Sequence, residues 1–383
     1  MSAFLAKHWS RPLAPQGKAP ENFGPQEASL APADCGNCHA EQYRDWQTAL
    51  HAQAMGPGLM GQLVNMAAEA RAEHQDCIRC HAPLAEQADS LATAIAAAGQ
   101  VNSGRREKNA APPGLHQQGL ICAACHLRAH ERFGPPRRDG SVPDAAQRAA
   151  LPHGGFTATD AFTDSRFCAA CHQFEPGEFA LNGKLLENTY DEWKTSRHSR
   201  EGRSCQSCHM PERRHLWRGI HDPDMVRAAV HFAPEIDGVV DGRVKAALIV
   251  RNTGAGHYFP TYVTPKVVVE IEQIDAAGRA LPKSRVARAI QRQVPLDLAN
   301  EISDTRLSPD GEMRVEYREP VQRGMTALVF RLRVEPDEFY ARFYRSLLAG
   351  DGAGRGRPMI REALRRAESS AFVAIEERRS LPQ

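Results

Sequence analysis

Ten cysteines fall into five pairs along this chain, and a histidine follows each pair directly. The pairs are Cys35 and Cys38 with His39, Cys77 and Cys80 with His81, Cys122 and Cys125 with His126, Cys168 and Cys171 with His172, and Cys205 and Cys208 with His209. All read C-x-x-C-H, the attachment signature of a c-type haem. The spacing suits the chemistry. Two thiols three positions apart form thioethers to the two vinyl groups, and the adjacent imidazole becomes the proximal iron ligand. A disulfide framework does not require histidine after each pair. Zinc sites would need the pairs to combine in twos, and five is odd. Thioredoxin-like motifs do not repeat in this way. With 16 histidines in 383 residues, chance would place one after all five pairs with a frequency on the order of one in ten million. The expected cofactors are five covalently attached c-type haems.

This expectation explains the composition. The chain is 42% apolar and 25% charged, within the soluble range, but only 7% aromatic. Five porphyrins are large apolar bodies that replace part of an ordinary core. No apolar run reaches the length of a membrane-spanning helix. Formal charge is +2, too balanced to suggest nucleic acid as a partner. Haem propionates would move it to about −3 oxidised and about −8 reduced.

The length predicts two structural units, and the fold class expected is α+β overall. Residues 1–34 carry Pro12, Pro15, Pro20, Pro25 and Pro32 and read as an extended Pro-rich N-terminal arm. Residues 35–225 hold every haem motif and read as a mainly α, cofactor-organised pentahaem cytochrome c domain. Its motifs start 42, 45, 46 and 37 residues apart. The stretch 101–113 reads as a polar loop. From 226 to 336 cysteine is absent and alternation appears, as in Met313–Tyr317 and Leu328–Val334. That texture predicts an antiparallel β-sandwich, with an immunoglobulin-like arrangement as the expected form. Residues 337–383 read as C-terminal helices around a flexible linker at 350–356, the last with Ile360, Leu364, Ala367 and Ala371 on one face.

One internal echo stands out. Tyr43, Trp46, Thr48 and His51 share the spacing of Tyr190, Trp193, Thr195 and His198, giving Y-x-x-W-x-T-x-x-H twice. Tyr, Trp and His at this spacing fall near one helical face. Each proximal histidine leaves one axial iron position, and eleven histidines remain to fill five. His51 and His198 lead, because the repeated aromatics could pack on porphyrin faces. His257 follows, in a Gly-rich loop after a strand where Gly254 and Gly256 permit sharp bends that aim a side chain outward. His221 is preferred over His215 just past the last motif. His116 completes the best set of distal ligands, with His130, His153 and His215 as weaker candidates. His8, His74 and His231 read as surface or structural residues. Met55, Met60 and Met66 read as packing residues.

The words Cys35-x-x-Cys-His-Ala-Glu-Gln-Tyr-Arg-Asp-Trp with His51, Glu192-Trp-Lys with His198, Cys205-Gln-Ser-Cys-His-Met-Pro, and His215-x-Trp-x-Gly-x-His221 resemble the multihaem cytochromes c related to the tetrahaem cytochrome that accepts electrons from hydroxylamine oxidoreductase. The resemblance covers about residues 30–225. It implies closely packed haems in parallel or perpendicular pairs, with electron transfer as the activity. Five motifs instead of four, an appended β domain and the absence of any C-x-x-C-K motif depart from neighbouring groups.

The leading expectation is a pentahaem c-type cytochrome that carries electrons through a chain of mostly bis-histidine haems between unidentified redox protein partners. It is an electron-transfer protein more than a substrate-converting enzyme, with no catalytic residue assigned. One alternative is a multihaem oxidoreductase with one open haem acting on a small nitrogen or sulfur compound, where Arg137, Arg138 or Lys184 could assist. Another is a haem-bearing assembly or filament subunit that self-associates or docks on an outer-membrane or surface partner. Haem attachment of this class occurs outside the bacterial cytoplasm, so the expected location is periplasmic or extracellular. Residues 1–9 lack the apolar core of a signal peptide. The chain is therefore expected to be a mature form with its leader removed.

Overall fold

The computed structural model describes residues 1–67, 70–100 and 114–382; the loop expected at 101–113 lies outside them. Helices and antiparallel sheets both occur. The chain forms two compact units, each discontinuous in sequence. The first comprises Met1–Cys171, Ser204–Trp217 and Leu347–Ala363, and the second His172–Arg203, Arg218–Ser346 and Leu364–Gln383. The expected partition was contiguous. Compactness instead groups 172–203 with the strands, because loops of the strand region bond directly to the helix Thr189–Lys194.

The first unit is built mainly of helices. Ala40–Thr48, Arg71–His81, Ala85–Gln100, Cys122–His126 and Cys205–His209 are separated by turns and loops. Two small apolar clusters lie among them. One gathers Met55, Met60, Leu63, Ile78 and Leu91; the other gathers Leu13, Trp46, Leu84 and Ile121. The N-terminal arm is less extended than expected. Ser2–His8 is a helix, and His8 and Leu13 are buried. Phe4 and His8, one helical turn apart, stack with ring centroids at 4.9 Å and pin that helix down. The expected flexible linker at 350–356 is also ordered by packing. A Cβ on Gly356 would lie 1.8 Å from the Gly61 carbonyl oxygen, so only glycine permits that approach. Asn65 Nδ2 ties the segment down through the Ala353 carbonyl at 2.9 Å.

The second unit holds two larger antiparallel sheets beside two short two-stranded ones. Strands β1 (Val230–Val240), β2 (Arg243–Asn252), β3 (Lys266–Ile274), β4 (Val286–Ile290), β5 (Glu312–Pro320), β6 (Ala327–Glu335) and β7 (Phe372–Arg379) pair in the orders β5-β2-β1 and β7-β6-β3-β4. Period-two alternation sends Val244, Ala246, Leu248 and Val250 of β2 and Leu328, Phe330, Leu332 and Val334 of β6 into one shared apolar core. β7 corrects the expectation of helices to the C-terminus. Helices Glu338–Ala349 and Arg357–Ser369 do form, but the chain then turns and adds a strand beside β6. The apolar run 371–375 continues the helical face of the preceding segment, and that disguised the change of period.

Candidate functional site

All ten cysteines lie in the first unit, and none forms a disulfide. Four of the five motifs lie wholly in helices: Cys122–His126 and Cys205–His209 are complete short helices, and two more end the helices Arg71–His81 and Arg166–His172, while the first begins in the helix Pro32–Gly36. A helical turn projects the paired thiols and the histidine from neighbouring faces, as attachment needs. The motifs also converge. The Cys35 thiol bonds that of Cys122, Cys80 that of Cys171, and Cys168 that of Cys205. These contacts link the first motif to the third, the second to the fourth, and the fourth to the fifth.

Iron takes a neutral imidazole, with the second ring nitrogen held by an outer partner. Two of the five proximal candidates carry this arrangement on backbone carbonyls. His81 Nδ1 donates to the Ala54 carbonyl at 2.7 Å and His126 Nδ1 to the Phe133 carbonyl at 2.8 Å. A carbonyl only accepts, so each of these rings has its proton on Nδ1 and its lone pair on Nε2. Burial keeps them neutral: it lowers His81, and holds His126 at about 4. His172 differs. Its Nδ1 meets a phenol, Tyr262 Oη, at 2.5 Å. Tyr262 also bonds Glu187 and Thr189, and burial, followed by the Glu187 charge, pushes its pKa well up. Its φ of +64° is a left-handed conformation uncommon for an aromatic residue.

The distal candidates divide by the same criterion. His153 Nδ1 donates to the Gly155 carbonyl at 2.9 Å, His215 Nδ1 to the Arg213 carbonyl at 3.0 Å and His257 Nδ1 to the Tyr258 carbonyl at 2.8 Å. His116 Nδ1 is 2.8 Å from the Ser90 hydroxyl, and its Nε2 is buried with no protein partner. Burial lowers the pKa of His116, His153 and His215. His130 and His221 are the reverse. His130 Nε2 donates to the Gly17 carbonyl at 3.1 Å, and His221 Nε2 lies 3.0 Å from an Asp337 carboxylate oxygen. His198 is held by protein groups, with Arg203 Nη1 3.2 Å from its Nδ1 and a bond to the Thr253 carbonyl. His51 packs edge-on against Trp217 at 4.7 Å.

The Gly-rich loop bearing His257 winds around Asn252, whose Nδ2 donates to the His257 carbonyl and whose Oδ1 accepts from Ala255 N. Its glycines are required by close approach. A Cβ on Gly254 would meet the Ala228 carbonyl oxygen at 1.9 Å, and one on Gly256 would meet Trp193 at 2.9 Å and His198 at 3.2 Å. The two repeated words behave alike. Trp46 Nε1 donates to the Leu120 carbonyl and Trp193 Nε1 to the Arg203 carbonyl, at 2.8 and 2.9 Å.

Several residues escaped the sequence reading. His8 is 2% exposed and His74 5%. His8 sits among Phe4, Trp9, Phe133, Phe162 and Phe167, and its Nε2 donates to the Cys125 carbonyl at 2.8 Å. The aromatic pair Phe4 and His8 at i,i+4 was the available signal. His231 is exposed, as expected. Tyr262 carried no signal, since its partner lies 90 residues away.

The residues therefore fit covalently held haems, by converging thiol pairs and by imidazoles whose outer nitrogens are already engaged. A haem bound there supplies an iron that accepts and releases one electron. Comparison with known proteins agrees. The profile of the family described as cytochrome c554 and c-prime matches residues 34–103. No curated protein sequence matches. Among solved structures, a penta-heme cytochrome c552 from Thermochromatium tepidum matches with a TM-score of 0.57 at 17% identity, over 94% of this chain and 100% of that one. The fold is shared. With the motifs, these findings support a multihaem c-type cytochrome.

Proposed function

We propose that this protein carries electrons through five closely spaced c-type haems, in the periplasm or outside the cell. The convergence of thiols from different motifs in one compact unit is the observation that supports this most directly. Haems attached to neighbouring thiols lie close enough for electrons to pass between them. Mostly bis-histidine ligation closes the irons to substrate and lowers their potentials relative to histidine–methionine pairs.

The distal set we infer is His51, His116, His153, His215 and His257. For the last four, support comes from the engaged Nδ1 that they share with His81 and His126. His51 is included for its place in the repeated word and its packing on Trp217. In this reading His198 and His221 hold loops in place, and His215 replaces His221 because the latter's Nε2 faces Asp337. A solved structure of similar fold carries five haems in its own name, which favours five here. The test is the spin state of the oxidised holoprotein. Five added haem masses with wholly low-spin electron paramagnetic resonance and no carbon monoxide binding after reduction are expected. A high-spin ferric signal with carbon monoxide binding would replace this reading with that of an oxidoreductase having an open haem.

A further inference from the structure

The repeated word carries more than its aromatic residues and histidine. In both copies the residue directly before Trp is acidic, Asp45 in one and Glu192 in the other, and both are buried, at 5% and 7% exposure. Each takes an arginine and one backbone amide. Asp45 accepts from Arg214 Nη2 and Nε at 2.6 and 2.7 Å, and from the backbone N–H of His215 at 3.0 Å. Glu192 pairs with Arg306 Nη1 at 3.4 Å and accepts from the backbone N–H of Tyr258 at 3.0 Å. That amide belongs to the residue after His257. The two histidines beside these anchored amides share one proton arrangement, Nδ1 donating to a nearby backbone carbonyl.

The arginines come from unrelated places: Arg214 precedes the anchored residue directly, whereas Arg306 lies 114 residues from Glu192. The acids differ in length. What the copies have in common is a buried carboxylate on an amide at a histidine-bearing loop. A buried carboxylate costs several kcal/mol unless paired and hydrogen-bonded, so the arginine offsets its charge while a remaining lone pair fixes the loop. A hydrophobic residue could fill the same space but could not hold an N–H. An amide side chain could accept that N–H but could not pair with the arginine as a carboxylate does.

We propose that Asp45 and Glu192 are positioning residues of a duplicated clamp: each anchors a loop by one backbone amide, so that His215 in one copy and His257 in the other is presented to a haem iron. This rests on the axial-ligand reading above, and the experiment separates the two.

Asp45→Asn, Glu192→Gln, His215→Ala and His257→Ala would be made in the full holoprotein, with haem content measured by mass. Spin state would be read by electron paramagnetic resonance and carbon monoxide binding. Each His→Ala variant should convert one haem of five from low to high spin. Each acid→amide variant should give a substantial fraction of the same change, at unaltered haem content, and added imidazole should restore the low-spin signal. Asp45→Asn with His215→Ala together should equal His215→Ala alone, because both act on one haem. Glu192→Asp keeps the charge but draws the carboxylate back from the Tyr258 amide; it should show partial high-spin signal and serves where a neutral substitution fails to accumulate. If the His→Ala variants become high-spin while the acid variants keep the parent spectrum, the clamp is refuted and the ligation stands. If His215→Ala and His257→Ala leave all haems low-spin, the ligation itself is refuted.

Discussion

The two units solve the same problem with different material. In the second, side chains from both sheets meet in one continuous cluster of valine, leucine, isoleucine and phenylalanine. In the first, the helices that bear the motifs are short and the apolar clusters small, while all ten cysteines are concentrated there. An isolated helix of five to eleven residues, the length of those bearing the motifs, is marginal in water without tertiary support. This contrast predicts that the first unit needs its cofactors to complete a core and that the second does not.

Loss of haem attachment tests that contrast most severely. Expressed without haem ligation, the chain should lose helical structure in the first unit, while β2, β3 and β6 stay protected. Hydrogen exchange reads this directly: amides in Ala40–Thr48 and Arg71–His81 should exchange freely, and those in Lys266–Ile274 should not. Uniform loss of protection would break the contrast. The converse test is Phe330→Ala, at a fully buried position of β6. It should cost about 3–5 kcal/mol, seen as early denaturation of the sheets. Spectra of the haems whose cysteines and axial histidines both lie in the first unit should stay unchanged until that transition.

What the sequence revealed follows the same division. The motifs were legible because covalent attachment demands a fixed spacing, and β2, β3, β5 and β6 because alternation marks a half-buried strand. Distal ligation was harder to read. His215 and His221 stand six residues apart with similar surroundings in sequence. They differ through Arg213 and Asp337, a local carbonyl and a carboxylate 116 residues away. His198 led on its repeat, yet Arg203 and Thr253 hold its ring. Long-range partners of this kind leave no periodic trace. Neither did β7, where one apolar run served the end of a helical pattern and the start of a strand.

A titrating group in the first unit gives a smaller effect. Burial, with Arg128 adding to it, lowers the His8 pKa from 6.5 to about 4. The unfolded chain therefore takes up this proton before the folded one. Stability from His8 is fully present above about pH 6.5 and is lost as pH falls toward 4, on the order of 2–3 kcal/mol. His8→Phe removes that dependence. Chemical denaturation across this window should show the parent losing stability relative to the variant; parallel curves would remove His8 from the account.

The smallest effect falls where the contrast is least clean, at His172. Its two cysteines belong to the first unit, but the histidine belongs to the second, together with Tyr262. A ligand imidazole whose Nδ1–H meets a carbonyl or phenol oxygen is more electron-rich, and it stabilises ferric over ferrous iron. Tyr262 strengthens this because its own hydroxyl bonds the Glu187 carboxylate. Tyr262→Phe keeps the ring and removes the oxygen. One haem of five should then titrate at a higher potential. A net hydrogen bond of about 1 kcal/mol corresponds to roughly 40 mV for a one-electron couple. Spectroelectrochemical titration would resolve this shift against four unmoved haems. An unchanged titration would mean that Tyr262 does not tune this haem and holds its left-handed backbone for packing alone.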